Sequence, residues 1–209
     1  MRRTIRRWAI APALVAIVLV AAACGDDGAA ETAGGATGGD QGEAMDGEEA
    51  MGPFGTACSD VPSDGDGSFE GMMTEPLVTA AAANPLLTSL AADVELAGLT
   101  DTLNTADALT VFAPSNAAFE AAGAADPEGM EMMMADPMGE FADLLAYHVV
   151  EGQLEPDEIA GEHSTLEGST LSVEGSGESF TVNGEAMVVC GAIHTDNATV
   201  YVIDGVLHP

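Results

Sequence analysis

The most informative part of the sequence is the segment Leu109-Thr110-Val111-Phe112-Ala113-Pro114-Ser115-Asn116-Ala117-Ala118-Phe119. Its first five residues are mostly apolar or β-branched, which predicts a short buried strand. Pro114 ends that strand because proline has no backbone N–H to donate. Ser115 or Asn116 can then cap a helix that runs through Phe119, since their side chains accept hydrogen bonds from free helix N–H groups. The segment therefore predicts a strand followed directly by a helix.

Helical patterns lie on both sides of this segment. Residues 75–105 predict helix because leucines and valines recur at helical spacing, with a break and restart at Asn84-Pro85. Two more helices are predicted for residues 127–135 and 137–146, each opened by a proline that follows an aspartate.

After Tyr147 the pattern changes from helix to strand. Apolar and polar residues alternate around Leu171 and around Phe180, and Asn183-Gly184 is a strong hairpin-turn signal. Residues 186–193 and 199–206 predict two closing strands. Helices followed by short strands indicate an α+β domain with antiparallel pairing.

Three motifs carry a family resemblance. The stretch from Thr110 to Phe119 resembles the first signature of the fasciclin (FAS1) domain, and Tyr147-His148-Val149-Val150 resembles its Tyr-His motif. Residues 198–209, Ala-Thr-Val-Tyr-Val-Ile-Asp-Gly-Val-Leu-His-Pro, resemble its closing signature. With Val189-Cys190-Gly191, the nearer likeness is to mycobacterial secreted, immunogenic members of the family.

The resemblance implies a wedge-shaped antiparallel β-sandwich with helices packed along it. It also implies an extracellular adhesion or protein-binding module without an established catalytic activity. We expect that the protein is not an enzyme and has no cofactor or bound metal. His148, between apolar neighbours, is expected to be buried and hydrogen-bonded to the loop at Ser115 or Asn116. The binding candidates that the resemblance implies are Thr110, Phe112, Pro114, Ser115, Asn116, Phe119, Tyr147, His148, Tyr201 and Asp204.

The first residues predict export and lipid attachment. Four arginines precede an apolar run at residues 8–23, which is short for a membrane-spanning helix and typical of a signal peptide. The run ends in small residues before Cys24, which resembles a bacterial lipobox, so we predict a signal peptide at residues 1–23 and a lipid anchor on Cys24. An uncleaved anchor and secretion with a free Cys24 are the alternatives.

Residues 24–56 are acidic and rich in glycine and alanine, and they lack apolar periodicity. This composition predicts a flexible linker, which leaves residues 57–209 for the fasciclin-like domain. Cys58 and Cys190 are an even pair in an exported chain, so a disulfide is the first expectation. Metal ligation and free thiols remain open.

The charge excludes several functions. The sequence has 35 acidic residues and 4 arginines, with no lysine or arginine after Arg7. Such a chain cannot bind the phosphates of a nucleic acid or the surface of an anionic membrane through positive charges. Membrane contact is therefore expected through the lipid anchor only. We expect a basic or neutral partner, an envelope or extracellular protein or polymer, outside the cytoplasm.

An alternative function is the binding of a small ligand or of a metal ion, calcium or copper. Thioethers favour Cu(I), and methionines cluster at residues 130–138. The stronger interpretation of this cluster is that the methionines fill core positions of a helix. The acids from Asp60 to Glu70 do not form a calcium loop, because Phe69 stands where that loop needs glycine. There is no Gly-x-Ser-x-Gly element of a hydrolase.

Overall fold

A computed structural model describes residues 52–209. The predicted signal peptide, the Cys24 anchor and most of the predicted linker lie outside the described residues. A 3₁₀ turn at Thr56–Asp60 precedes the regular elements. The helices are α1 (Phe69–Met72), α2 (Leu77–Ala83), α3 (Thr88–Leu96), α4 (Thr100–Thr105), α5 (Asn116–Ala125), α6 (Pro127–Ala135) and α7 (Glu140–Tyr147), and the strands are β1 (Leu109–Pro114), β2 (Val149–Glu151), β3 (Gly161–Ser164), β4 (Thr170–Ser176), β5 (Ser179–Val182), β6 (Ala186–His194) and β7 (Ala198–Ile203).

The seven strands form one curled sheet in the order β2-β1-β7-β6-β5-β4-β3. An isolated bridge between Val150 and Thr165 joins its two edges, which nearly closes the sheet on itself. The predicted α+β fold with helices packed along the strands is confirmed. The pairing is antiparallel except between β1 and β7, which run parallel from Leu109 beside Ala198 to Pro114 beside Ile203.

Alternation along the strands divides the core in two. Leu109 and Val111 of β1 face the helices, where they pack with residues such as Leu90, Leu103 and Phe141. Phe112 faces the inside of the curled sheet, in a second cluster of buried side chains. That inner cluster includes Phe54, Tyr147, Ile159, Leu171, Phe180, Val182, Tyr201 and Leu207.

The predicted helix over residues 75–105 is three helices. Asn84 ends α2 because its extended backbone turns the chain, and its side-chain oxygen accepts a hydrogen bond from the Leu86 N–H. Gly98, with a φ of 70°, makes the turn between α3 and α4. The helix predicted for residues 137–146 begins later, at Glu140.

A disulfide fastens the first described segment to the sheet. Cys58 and Cys190 are bonded across a sequence separation of 132 residues, as predicted. Beside them, Phe54 pairs with Gly191 of β6 through two backbone hydrogen bonds of 3.2 and 2.8 Å. The Phe54 ring is only 4% exposed and lies against Phe180 and Tyr201. Ordered structure therefore reaches back at least to Phe54, inside the predicted linker.

Candidate functional site

The first motif begins with two buried side chains of strand β1, Thr110 and Phe112. Phe112 is fully buried and stacks on Tyr201 with ring centroids 5.8 Å apart. The Thr110 hydroxyl donates to the Gly152 carbonyl and accepts from the Leu154 N–H. Phe112 therefore packs β1 against β7, and Thr110 joins β1 to the loop after β2.

At the end of β1, Pro114 is the last residue of the strand and lies beside Ile203 of β7. Ser115 caps α5, since its Oγ accepts a hydrogen bond from the Ala118 N–H at 3.2 Å. Phe119 is half-buried on the same helix and packs against the helix-side core. The predicted strand and cap are therefore present, and α5 continues six residues beyond Phe119 to Ala125.

Asn116 joins two parts of the chain. Its Oδ1 accepts from the Ser89 N–H at 2.9 Å, and its Nδ2 donates to the Pro85 carbonyl and to the Thr88 hydroxyl. The side chain thereby supplies the start of α3 with an acceptor that α3 lacks in its own first residues. Asn116 therefore links the start of α5 to the start of α3 through hydrogen bonds.

His148 is buried, as predicted, but the predicted hydrogen bond to Ser115 or Asn116 is wrong. Its Nδ1 lies 2.8 Å from the Leu144 carbonyl, and its Nε2 accepts a hydrogen bond from the Leu207 N–H at 2.9 Å. His148 lies at the C-terminal end of α7, and its ring faces Leu207 and not the loop after β1. Burial lowers the pKa of His148 from 6.5 to about 4, which keeps the imidazole neutral at pH 7.

Tyr147 and Tyr201 both use their hydroxyls inside the domain. Tyr147 Oη accepts from Asn183 Nδ2 at 2.8 Å, and Tyr201 Oη donates to the Leu154 carbonyl at 2.8 Å. Burial raises the pKa of Tyr201, and the carboxylates of Glu155 and its neighbours raise it further. Asp204 is exposed, and its Oδ1 accepts from the Met187 N–H at 2.7 Å.

The accessible part of the motifs lies in an open groove of about 500 Å³. Ser115, Asn116 and Asp204 line it, together with residues that are not among the binding candidates from the sequence. Those residues come from the disulfide-bonded segment, the α2–α3 connection, α5 and β6, and only long-range pairing brings them together. They are Thr56, Ala57, Asp60, Pro85, Leu86, Ala117 and Val189. Below, this feature is called the motif groove.

The charged side chains of the described domain are carboxylates, with histidine as the only residue type that can carry a positive charge. Because the sequence has no lysine or arginine after Arg7, its carboxylates can pair only with histidines. Within residues 52–209, His194 Nε2 lies 3.8 Å from Glu155 Oε2, a contact that is an ion pair only when the imidazole carries a proton, and both side chains are about one-third exposed. Burial raises the pKa of Asp93 from 3.8 to about 6.

No cluster of three or more histidine, cysteine, aspartate or glutamate side chains in residues 52–209 is arranged to hold a metal ion. The expectation that methionines 130–138 fill helix core positions is wrong for most of them, although Met133 is partly buried against the helix-side core. No residue of α6 is buried, and Met132, Met134 and Met138 are 73%, 45% and 75% exposed. No helix in the described part of the chain is long and apolar enough to cross a membrane.

These elements and motifs define a class. The family model of the fasciclin domain matches residues 85–209, and the chain belongs to that family. Its relatives include the cell surface glycolipoprotein MPB83 of Mycobacterium bovis, which is 43% identical over 152 residues, with 69% of this chain and 66% of the relative covered. The immunogenic protein MPT70 of Mycobacterium tuberculosis is 41% identical over 150 residues, with 69% and 75% covered.

The chain thus spans slightly less than two thirds of the glycolipoprotein's length. Among solved structures, a FAS1 domain pair from the insect cell adhesion molecule Fasciclin I matches with a TM-score of 0.59 at 15% identity. That match covers 66% of this chain and 52% of the other. At this identity the likeness shows the fold alone.

Proposed function

We propose that this protein is a non-catalytic binding module of the cell surface, carried on a lipid anchor at Cys24 and an acidic linker. Its family membership, and its similarity to a cell surface glycolipoprotein, support this proposal. The basic and apolar residues ahead of Cys24 support export to the outer side of the cytoplasmic membrane.

The motif groove carries the proposal. Most polar groups of the family motifs are already hydrogen-bonded within the domain, so the motifs build a scaffold more than they offer free side chains. Ser115, Asn116 and Asp204 remain accessible where they line the groove. An open groove about 500 Å³ in volume suits a segment of a protein or a polymer that lies across it.

The chemistry of His148 supports a non-catalytic role. A general base needs a ring nitrogen that can reach the substrate. Both ring nitrogens of His148 are engaged with backbone groups, and the residue is 1% exposed. The motif histidine is therefore a structural hydrogen-bonding group in this proposal.

The charge of the groove sets the kind of partner. Asp60 and Asp204 lie in its lining, and no lysine or arginine follows Arg7 in the sequence. An anionic partner would meet uncompensated carboxylates, whereas a basic or neutral protein or polymer is electrostatically compatible.

Crosslinking on intact host cells, followed by identification of what is attached, tests this function. Ala117 is exposed in the groove lining, so Ala117→Trp fills the groove, while Ala124→Trp adds the same side chain to an exposed position of α5 outside it. We expect the first variant to lose the crosslinked partner and the second to keep it. Equal crosslinking by both variants would refute the motif groove as the binding site.

The anchor has its own test. Cys24→Ser should release the protein from the membrane fraction into the medium, because the thioether linkage cannot form without the thiol. Unchanged membrane retention would contradict lipid attachment at this residue without affecting the groove.

A further inference from the structure

Two buried side-chain oxygen atoms have no hydrogen-bond partner within residues 52–209. They are Oε2 of Glu155 and Oγ1 of Thr199, a residue with none of its surface exposed. Burying a polar atom without a partner is unfavourable, and a bound ion or water is a common reason for finding one. Both atoms lie at the same end of the curled sheet, so one bound species can account for both.

The strand register places Thr199 on the inner face of the sheet. Tyr201 of β7 packs in the inner cluster, and Thr199, two residues before it, points the same way. Its partners in the two neighbouring ladders are Thr110 of β1 and His194 of β6. Since paired residues of adjacent strands share a face, Thr199 lies between these two side chains.

The loop after β2 crosses over Thr199. Leu154 donates its N–H to Thr110 Oγ1 at 2.9 Å, on one side of Thr199. The next residue, Glu155, brings its Oε2 to 3.8 Å from His194 Nε2, on the other side. The hydroxyl of Thr199 therefore lies beneath the carboxylate of Glu155 and beside the imidazole of His194. We call Glu155, His194 and Thr199 the loop site.

The separation between Glu155 and His194 fits a metal ion better than a water molecule. At 3.8 Å, Oε2 and Nε2 are too far apart for a direct hydrogen bond. A water with hydrogen bonds of about 2.8 Å to both atoms would hold them about 4.6 Å apart at the tetrahedral angle. Zn²⁺ binds histidine nitrogen and carboxylate oxygen at about 2.0–2.2 Å, so two of its tetrahedral ligands lie about 3.4 Å apart. The observed separation is nearer to the value for the ion.

The chemistry of the loop site selects the kind of ion. Glu155 supplies a negative charge, and Asp157 and Glu158 add two more in the turn that follows it. No lysine or arginine follows Arg7 to compensate them, so the occupant is a cation. An imidazole nitrogen beside a carboxylate oxygen suits zinc and similar transition-metal ions, whereas calcium and magnesium take oxygen ligands.

We propose that the loop site binds a divalent transition-metal ion of the zinc type. Glu155 Oε2 and His194 Nε2 are the two strong ligands, and Thr199 Oγ1 adds a neutral oxygen from the strand below. A fourth position faces solvent, because Glu155 and His194 are about one-third exposed. The ion fastens the loop after β2 to β6 and closes this end of the sheet.

The site departs from the expectation of no bound metal, and its ligand set limits its strength. Since residues 52–209 hold no cluster of three or more histidine, cysteine and carboxylate ligands, the ion has fewer strong ligands than a structural zinc site and exchanges with the medium. The loop site shares no residue with the lining of the motif groove. It is therefore a second site, independent of the proposed function.

The probe for this proposal is Zn²⁺ itself, titrated by calorimetry onto the full chain after a chelator has removed metal ions. The chain carries Cys24→Ser, because a free thiol would bind zinc elsewhere. We expect one Zn²⁺ per chain, bound at least about tenfold more tightly than Ca²⁺ or Mg²⁺. No saturable binding of Zn²⁺, or binding of Ca²⁺ with equal affinity, overturns the proposal.

Variants of the protein locate the ion. His194→Ala and Glu155→Gln each remove one strong ligand and should weaken Zn²⁺ binding at least about tenfold. Their controls are His208→Ala and Asp157→Asn, which remove an exposed histidine and an exposed carboxylate outside the site. The controls should change the affinity less than about twofold. Equal losses in a variant and its control would mean that Zn²⁺ binds the acidic surface diffusely, which overturns the site.

Thr199→Val tests the third ligand with a side chain of the same shape. In chelator the variant should melt no lower than the unaltered protein, because the hydroxyl that it removes has no partner there. At one Zn²⁺ concentration the melting temperature of the unaltered protein should rise more than that of the variant. A less stable variant in chelator would show that the hydroxyl is already hydrogen-bonded, and an equal rise would show that it is not a ligand. Either result overturns the three-residue site.

Nuclear magnetic resonance of imidazole nitrogens gives a direct readout. On addition of one equivalent of Zn²⁺, the Nε2 signal of His194 should shift, and the ring signals of His163 and His208 should not. A shift at His208 or His163 without one at His194 overturns the proposal.

Discussion

The backbone N–H of Leu207 donates a hydrogen bond of 2.9 Å to Nε2 of His148, across 59 residues of sequence. This bond requires Nε2 without a proton, so the proton of the neutral ring lies on Nδ1 and points to the Leu144 carbonyl at 2.8 Å. Protonation of Nε2 would set two donors against each other in a buried place. The end of the chain is therefore held by a histidine that must stay neutral.

This contact predicts how acid destabilises the domain. The pKa of His148 falls from 6.5 in the unfolded chain to about 4 in the folded one. Between these values the unfolded state binds more protons, so the contribution of His148 to stability is present above pH 6.5 and is lost as the pH falls towards 4. His148→Leu removes both hydrogen bonds and should lower the free energy of unfolding at pH 7 by about 2–4 kcal/mol.

Urea unfolding at several pH values measures this effect. The difference between the unaltered protein and His148→Leu should shrink from pH 7 towards pH 4, because the histidine stabilises less as it is forced to accept a proton. A difference that stays constant over this range would contradict the neutral, buried ring.

Asp93 predicts a pH effect of the opposite sign. Burial raises its pKa from 3.8 to about 6, so the folded state binds more protons within that interval. The contribution of Asp93 to stability is then present below pH 3.8 and is lost as the pH rises through 6. Asp93→Asn should melt at a higher temperature than the unaltered protein at pH 7.5, with the difference vanishing near pH 4.

Glu95 provides the matched control for this measurement. It is exposed on the same helix, and Glu95→Gln removes the same charge. Thermal unfolding of both variants at the two pH values separates the effect of the half-buried Asp93 carboxylate from the effect of removing one negative charge from an acidic domain. Equal stabilisation by both variants at pH 7.5 would mean that burial of Asp93 is not the cause.

The parts of this fold that follow from the sequence are the local ones. The end of β1 at Pro114 and the cap at Ser115 depend on neighbouring residues, and the turn at Asn183-Gly184 is equally local. In the structure Asn183 indeed adopts a positive φ of 52°. Such features can be predicted because the physical cause lies within a few residues.

Long-range arrangements did not follow from the same patterns. Both β1 and β7 are buried along their whole length, which is typical of central strands and can be inferred from their apolar residues. Their parallel pairing could not be inferred, because it joins segments about ninety residues apart. β3 was missed because its residues are exposed or half-exposed and show no apolar alternation. Pro127 after Asp126 predicted the start of α6, but this local signal could not show whether another element covers the methionines of the helix.

The binding candidates show the same division. Thr110, Phe112 and Tyr147 could be located from the motifs, but their hydrogen bonds and stacking are set by strands that meet only in the folded chain. The structural role of Asn197 was not predicted. It is buried, and its side chain bonds to Leu77, Leu103 and Ala106. An asparagine before a strand gives no local sign of contacts with segments about 90 and 120 residues away.

The first described segment predicts coupled losses of stability. The Cys58–Cys190 disulfide closes a separation of 132 residues, and a loop of this size contributes about 4–5 kcal/mol in the chain-entropy account. Phe54→Ala leaves a cavity between Phe180 and Tyr201 and should cost about 3–5 kcal/mol. Both changes release the same segment from β6.

A double-mutant cycle in urea tests this coupling. Paired replacement of both cysteines by serine is combined with Phe54→Ala, and the joint loss should be smaller than the two separate losses together by about 1–3 kcal/mol. Strict additivity would show that the disulfide and the buried ring stabilise the domain independently.

The acidity of the domain predicts that salt stabilises it. Carboxylates without lysine or arginine partners repel one another, and repulsion between exposed charges is screened over about 3 Å at 1 M salt against about 10 Å at 0.1 M. The melting temperature should therefore rise between about 0.1 M and 2 M sodium chloride. Because excluded solutes also stabilise folded proteins, sucrose serves as the uncharged control. A variant with fewer charges tests the same cause. The variant with Glu174→Gln, Glu178→Gln and Glu185→Gln should have a higher melting temperature at low salt, and added salt should raise it less, since part of the repulsion is already removed. An equal rise in the melting temperature of both proteins, or a rise no larger than sucrose produces, would mean that charge repulsion does not limit the stability of this domain.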